Sequence, residues 1–348
     1  VSSLQNRCED FYVRHTQTAE QHMLAKIAFI GTGGTIASIG TDQFDLLDYN
    51  ASQQRLDAAA LIERIGIQGT IADIRPVNFR QIDSTAITSD DWADLAEICC
   101  QLAEDSSLRG IVIGHGTASL EETAWVLSLV LDLKIPVILT GSMRPLTGIS
   151  TDAHANLAAA IRAAIAPTTG PGVFVVINDE IHDPKTVTKT HTLRLGAFQS
   201  PWAAPIGYVD GTEVRFQQVS KRRHEPFARD LLREMPRVDI SYSHVGADGC
   251  AIQSFVAAGA KGIVSSGFGP GMSTPAETAA LHEAVNAGLV VVQSSRTGAG
   301  LVVDSAHHQS LGILAGGDIN PQKARILLSL CLAAGYSHGD IAEVFHSL

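Results

Sequence analysis

The chain has 348 residues, of which 45% are hydrophobic and 18% charged, against about one quarter charged in ordinary globular domains. That length supports two domains with sizeable cores, and the scarcity of charge points to extra area buried between subunits. The formal charge of −11, from 25 Lys and Arg against 36 Asp and Glu, excludes a broad nucleic-acid surface, which needs a basic patch, and leaves a small molecule as the expected ligand.

Residues 1–22 are polar and lack the apolar stretch of a secretory signal, so a reducing cytoplasm is expected. Residues 1–23 are read as an N-terminal extension, either disordered or preceding a true start at Met23. Short apolar runs follow as strand candidates: Lys26 to Gly31, Gly110 to Gly114, Pro136 to Gly141, Gly172 to Asn178, Gly262 to Ser266 and Leu289 to Ser294. Between them, Asp91 to Leu102, Leu120 to Leu133 and Ala153 to Ala166 carry apolar residues at helical spacing. Strands apolar on both faces and alternating with helices predict an α/β fold built on mostly parallel sheet. Charge concentrates at SKRRHEPFARDLLREMPR, so a linker is placed at 217–237 between a larger domain, 24–216, and a smaller one, 238–348. The five cysteines, Cys8, Cys99, Cys100, Cys250 and Cys331, lack C-x-x-C spacing. Neither a disulfide framework nor a metal site is expected, and no run is long enough for a membrane span.

The first chemical signal is the loop Gly31, Thr32, Gly33, Gly34, Thr35 after a strand. Glycines there let the backbone turn and aim N–H groups at a ligand or an oxyanion, with Thr35 offering a hydroxyl. A tight turn with a capping threonine fits the loop equally well. A dinucleotide site does not, because the spacing is not G-x-G-x-x-G. A second strand ends in His115, Gly116 and Thr117, bringing another threonine hydroxyl to the same sheet edge. A hydroxyl needs a base to become a nucleophile, and Lys189, within DPKTVTKTHT, is a candidate if a crevice lowers its pKa. The plainer alternative is a solvated loop charge.

Taken in order, TGGTIA (32–37), HGT-x-x-LEETA (115–124), PVILTGSMRP (136–145), VTKT (187–190), GIVSSGFGPG (262–271), SSR (294–296) and NPQKAR (320–325) resemble the bacterial-type L-asparaginase and glutaminase family. The resemblance implies a cofactor-independent amidohydrolase, with a large N-terminal and a smaller C-terminal α/β domain, assembled as a homotetramer of tight dimers. It implies Thr35 as the acylated nucleophile, Thr117 and Lys189 as a proton relay, and Tyr49 as a looser match to a lid tyrosine. Gly34, Ser84, Thr85, Gly116 and Ala118 fall on its substrate-binding positions, with Ser84 expected on a carboxylate and the N–H groups of Gly116 to Ala118 on the oxyanion.

The sequence also departs from that pattern. The family's HGTDT is HGTAS here, so Ala118 replaces the aspartate that binds the substrate's α-ammonium. Thr85, Ala86 and Pro270 alter other positions associated with amino-group recognition. A pocket without its acid should reject a free ammonium, because a buried charge left unpaired costs several kcal/mol. The expected substrate is therefore the amide of a small acid lacking a free α-amino group, such as an N-substituted or aryl succinamate, a lactam or a cyclic imide. The alternatives are an L-asparaginase with altered binding, an introduced substitution that disables an ordinary asparaginase, and a non-catalytic acid-binding homologue.

The remaining features read as structural. His115 is expected to contact backbone, His307 and His308 to lie at the surface, Glu121 and Glu122 to complement a helix dipole, and Arg144 to pair with Asp152.

Overall fold

The structure is a computed structural model that describes residues 24–52, 54–218 and 225–348. The expected N-terminal extension and Cys8 lie outside the described residues. The larger unit is an eight-stranded sheet in the order β10-β9-β6-β5-β4-β3-β1-β2. Its strands are β1 (Lys26–Gly31), β2 (Asp73–Asn78), β3 (Leu108–Gly114), β4 (Pro136–Thr140), β5 (Gly172–Ile177), β6 (Glu180–His182), β9 (Gly207–Asp210) and β10 (Glu213–Phe216). A separate hairpin pairs β7 (Thr188–Lys189) with β8 (Phe198–Gln199). β2, β1, β3, β4 and β5 run parallel, and β6, β9 and β10 extend the sheet antiparallel.

Alternation along β1 sends Ala28 and Ile30 to one core and Ile27 and Phe29 to the other, so both faces of the sheet are covered. The second face is covered by α1 (Ala58–Ile65) and α4 (Ala153–Ile165). The first is covered by α2 (Ser89–Ala103) and α3 (Leu120–Val130), and its core continues into the smaller domain. That domain is an all-parallel sheet of β11 (Val238–Tyr242), β12 (Gly262–Gly267), β13 (Val290–Ser295) and β14 (Leu314–Ala315). Around it lie α5 (Cys250–Ala257), α6 (Pro275–Asn286), α7 (Ala306–Leu311), α8 (Pro321–Ala333) and α9 (His338–Ser347).

The α/β class, with a large mostly parallel sheet and a smaller α/β domain, is as the sequence implies. Strands with mixed composition are the ones apolar patterning passes over. β2 reads DIRPVN, and its proline is tolerated because the strand lies at the sheet edge. The stretch expected as a linker contributes Phe227 and Leu232 to the shared core, where both are buried. Among the described residues, no helix is long and apolar enough to cross a membrane and no cluster of His, Cys, Asp or Glu could hold a metal.

Candidate active site

Sheet order places the site. β1 connects to β2 on one side, and the next strand, β3, lies on the other side of β1. A crevice opens where strand order reverses, at the C-terminal ends of the strands, and ligands of open α/β sheets bind there. Gly34 and Thr35 follow β1, and Gly116 and Thr117 follow β3. The two loops nearly touch: a Cβ on Gly34 would lie 2.3 Å from the Gly116 Cα, and Gly34 itself has φ of +77°.

Each threonine hydroxyl has a polar partner there. The Oγ1 of half-buried Thr35 lies 2.9 Å from the Tyr49 hydroxyl. Buried Thr117 accepts at Oγ1 from the Lys189 Nζ at 2.8 Å. Lys189 is half-buried on β7, and burial holds its pKa below the usual lysine range while the Glu121 carboxylate pulls it back up. It is not the solvated loop charge that an arbitrary lysine would be.

Ser84 closes the other side. It is buried, begins a short 3-10 turn (Ser84–Ala86), and accepts at Oγ from the backbone N–H of Ala118 at 3.2 Å. The Ala118 N–H, expected among the oxyanion donors, is thus already engaged. A hydroxyl that accepts one bond keeps its own proton to donate. Ala118 and Thr85 are exposed, and Thr85 belongs to the same turn as Ser84.

One structural expectation needs correction, and a second needs extending. Arg144 and Asp152 form no side-chain ion pair: Asp152 accepts from the backbone N–H groups of Met143 (2.9 Å) and Arg144 (3.0 Å), while the guanidinium donates to the carbonyls of Ile149 and Ser150. The carboxylate caps a turn instead of meeting the charge. Glu121 does more than complement a helix dipole. Buried at the start of α3, it accepts from Thr188 Oγ1 (3.1 Å), Lys189 N (3.4 Å), Asn320 Nδ2 (3.3 Å) and Gln322 Nε2 (3.4 Å). Fully buried Lys323, from the smaller domain, lies 3.7 Å from it. The available signal was the lone lysine inside the apolar helix PQKARILLSLCLA. His115 is buried with Nδ1 on the Gly116 carbonyl at 2.8 Å, and His307 is exposed, as expected; His308 is half-buried, with Nε2 toward the Gly271 carbonyl.

Residues 26–222 match the family model "Asparaginase, N-terminal", and residues 237–345 match "Glutaminase/Asparaginase C-terminal domain". The chain belongs to the asparaginase family. It is therefore an amidohydrolase acting on carbon–nitrogen bonds other than peptide bonds. It is 35% identical over 324 residues to L-asparaginase 2 of Bacillus subtilis, covering 92% of this chain and 86% of that one. It is 36% identical over 315 residues to a probable periplasmic L-asparaginase of Haemophilus influenzae, covering 89% of each. The crystal structure of a probable cytoplasmic L-asparaginase from Campylobacter jejuni superposes with a TM-score of 0.87 at 36% identity, covering 93% of this chain and all of that one. Family membership accounts for the order of motifs along the chain.

Proposed function

We propose that this asparaginase-family enzyme hydrolyses the amide of a small carboxylic acid without a free α-amino group. The observation that carries the reading is the Thr117–Lys189 pair at 2.8 Å beside an exposed Ala118, a site equipped for proton transfer but without a carboxylate to receive an ammonium at that position.

In this reading the Thr35 Oγ attacks the amide carbon, its proton passing through Thr117 to neutral Lys189, and the oxyanion takes backbone N–H groups from the Gly116–Thr117 stretch. The carbon–nitrogen bond then breaks, ammonia or an amine leaves with the proton returned by the Lys189 ammonium, and Thr35 is left as an ester. Water attacks that ester, its proton passing through Thr117 to neutral Lys189; the ester bond to Thr35 breaks, the Lys189 ammonium returns the proton to the Thr35 Oγ, and the free acid departs. Tyr49 holds the Thr35 hydroxyl before attack, Ser84 donates to the substrate carboxylate, and Gly34 and Thr85 line the approach. That Thr35 is the acylated threonine follows from the family resemblance. No cofactor or metal enters the scheme. We place the working form in the cytoplasm as a homotetramer; the exposed Tyr242, Val245, Met272, Leu301 and Val303, which end or follow β11, β12 and β13, support association of subunits.

The names of the relatives favour a second reading, an L-asparaginase that binds its substrate differently. A mass-spectrometric panel of asparagine, glutamine, succinamate, N-acyl-asparagines and small lactams separates the two. Turnover of free asparagine as efficient as that of every des-amino or N-substituted analogue would sink the first reading.

A further inference from the structure

The segment that carries the relay lysine is held from both domains. Glu121 accepts from the backbone N–H of Lys189 and from Thr188 Oγ1, so one buried carboxylate grips two consecutive residues of β7. Asn320, the N-cap of α8, and Gln322, in its first turn, both donate to the same carboxylate from the smaller domain. Lys323 completes the clamp, donating from Nζ to the carbonyls of Lys185 (3.1 Å) and Val187 and thereby holding the segment that leads into Lys189. Trp125 of α3 in turn donates to the Lys323 carbonyl at 3.1 Å.

A buried lysine, a buried glutamate and two amides converge on a two-residue strand. A two-residue hairpin outside the main sheet has little ladder to fix it, so an external hold is what would determine where the Lys189 Nζ lies. The charge inventory supports the same role. Glu121 is the carboxylate whose field acts on Lys189. Lys323 faces Glu121, with Asp183 and Glu122 as its further acidic neighbours, and Glu122 is itself 3.6 Å from Arg325.

We propose that Glu121, clamped by Lys323, Asn320 and Gln322, is a positioning residue that seats Lys189 against Thr117. The proposal rests on Lys189 being the base of the hydrolysis. It makes the smaller domain a part of the relay.

The test uses the full chain, ¹³C-lysine NMR to follow the titration of Lys189, the Lys189→Met variant to assign its resonance, and the pH dependence of hydrolysis with succinamate as the probe. Removing a nearby negative charge destabilises the ammonium, so Glu121→Gln is expected to move the Lys189 midpoint down by about one pH unit. The ascending limb of kcat/KM should follow it to lower pH, while kcat falls about tenfold as the seat loosens. A residue that only packed would lower stability and leave the midpoint in place. If the glutamine variant does not fold, Glu121→Asp keeps the charge opposite Lys323 and is expected to move the midpoint the same way by less. An unmoved midpoint, with Lys189→Met inactive, overturns the proposal and leaves the base reading standing. Full activity in Lys189→Met removes the base reading and the proposal with it.

Discussion

Ala118 is tied to Ser84 through its backbone, the N–H donating to the serine Oγ at 3.2 Å, while its own side chain is exposed. The contact that orders this corner of the site is therefore independent of what stands at position 118. A carboxylate can be introduced there without disturbing packing. Ala118→Asp is expected to raise kcat/KM for free L-asparagine by about tenfold or more, each factor of ten being about 1.4 kcal/mol of transition-state binding. The same carboxylate should favour the Lys189 ammonium and move the ascending limb of the pH profile upward. Ammonia release from asparagine across a pH series checks both. No gain on asparagine would show that the missing acid is not what selects the substrate.

Thr117 and Lys189 should act as one unit. Positioned acid–base groups contribute about 10²–10⁴-fold, so Thr117→Val and Lys189→Met are each expected to cost that much in kcat. Residues that work together are strongly non-additive, so the double variant should be little worse than either single. Thr35→Ala is expected to abolish turnover, whereas Tyr49→Phe, which removes a hydroxyl 2.9 Å from Thr35, should cost about tenfold. Single-turnover kinetics on the four single variants and the double make the comparison. A multiplicative loss in the double would break the relay into two separate effects.

The site was legible in the sequence where local chemistry announces itself. Gly33 and Gly34 precede Thr35 because the backbone takes positive φ there, and Thr117 follows a strand whose composition is unmistakably apolar. Their convergence is a consequence of parallel strands sharing one C-terminal edge. What the sequence hid was long-range polar bonding. Nothing in the local pattern around Glu121 says that it meets Lys189, Asn320 and Lys323, because the first contact depends on where the β7 hairpin packs and the other two on how the two domains meet. The Asp152 turn was misread for a related reason. A carboxylate near an arginine in sequence suggests an ion pair, but the backbone N–H groups of residues 143 and 144 were closer and needed an acceptor.

Stability should fall with acid through His115. Buried completely, it has its pKa pushed down from the ordinary imidazole value of 6.5 to about 4 by desolvation. The unfolded chain binds the proton first on acidification, so this contribution to stability is fully present above about pH 6.5 and is lost as pH falls toward 4. The full loss is about 3 kcal/mol in order of magnitude. Because the Gly116 carbonyl can only accept, Nδ1 carries the proton, and His115→Asn can keep a donor there without titrating. Urea unfolding of both proteins from pH 7 to 4 should give a shallower decline for the variant. Parallel curves would mean that His115 does not control this window.

The closest approach in the site gives the sharpest steric prediction. At Gly34 the backbone adopts φ 77° and ψ −175°, a region essentially reserved for glycine and costing other residues about 1–3 kcal/mol. An added Cβ would also lie 2.3 Å and 2.5 Å from the Gly116 Cα and N, atoms that cannot move without shifting β3's exit. Gly66 supplies the control. It has φ of +70° at the end of α1, and a Cβ there meets nothing within 4 Å, so Gly66→Ala should cost only about 1 kcal/mol. Gly34→Ala should cost more than about 3 kcal/mol, strain and clash together, and separate the two loops enough to remove activity in whatever fraction folds. Urea midpoints for the two variants, with burst-phase acylation measured on the folded fraction, decide it. Equal losses at Gly34 and Gly66 would mean that the two loops are not in the contact described.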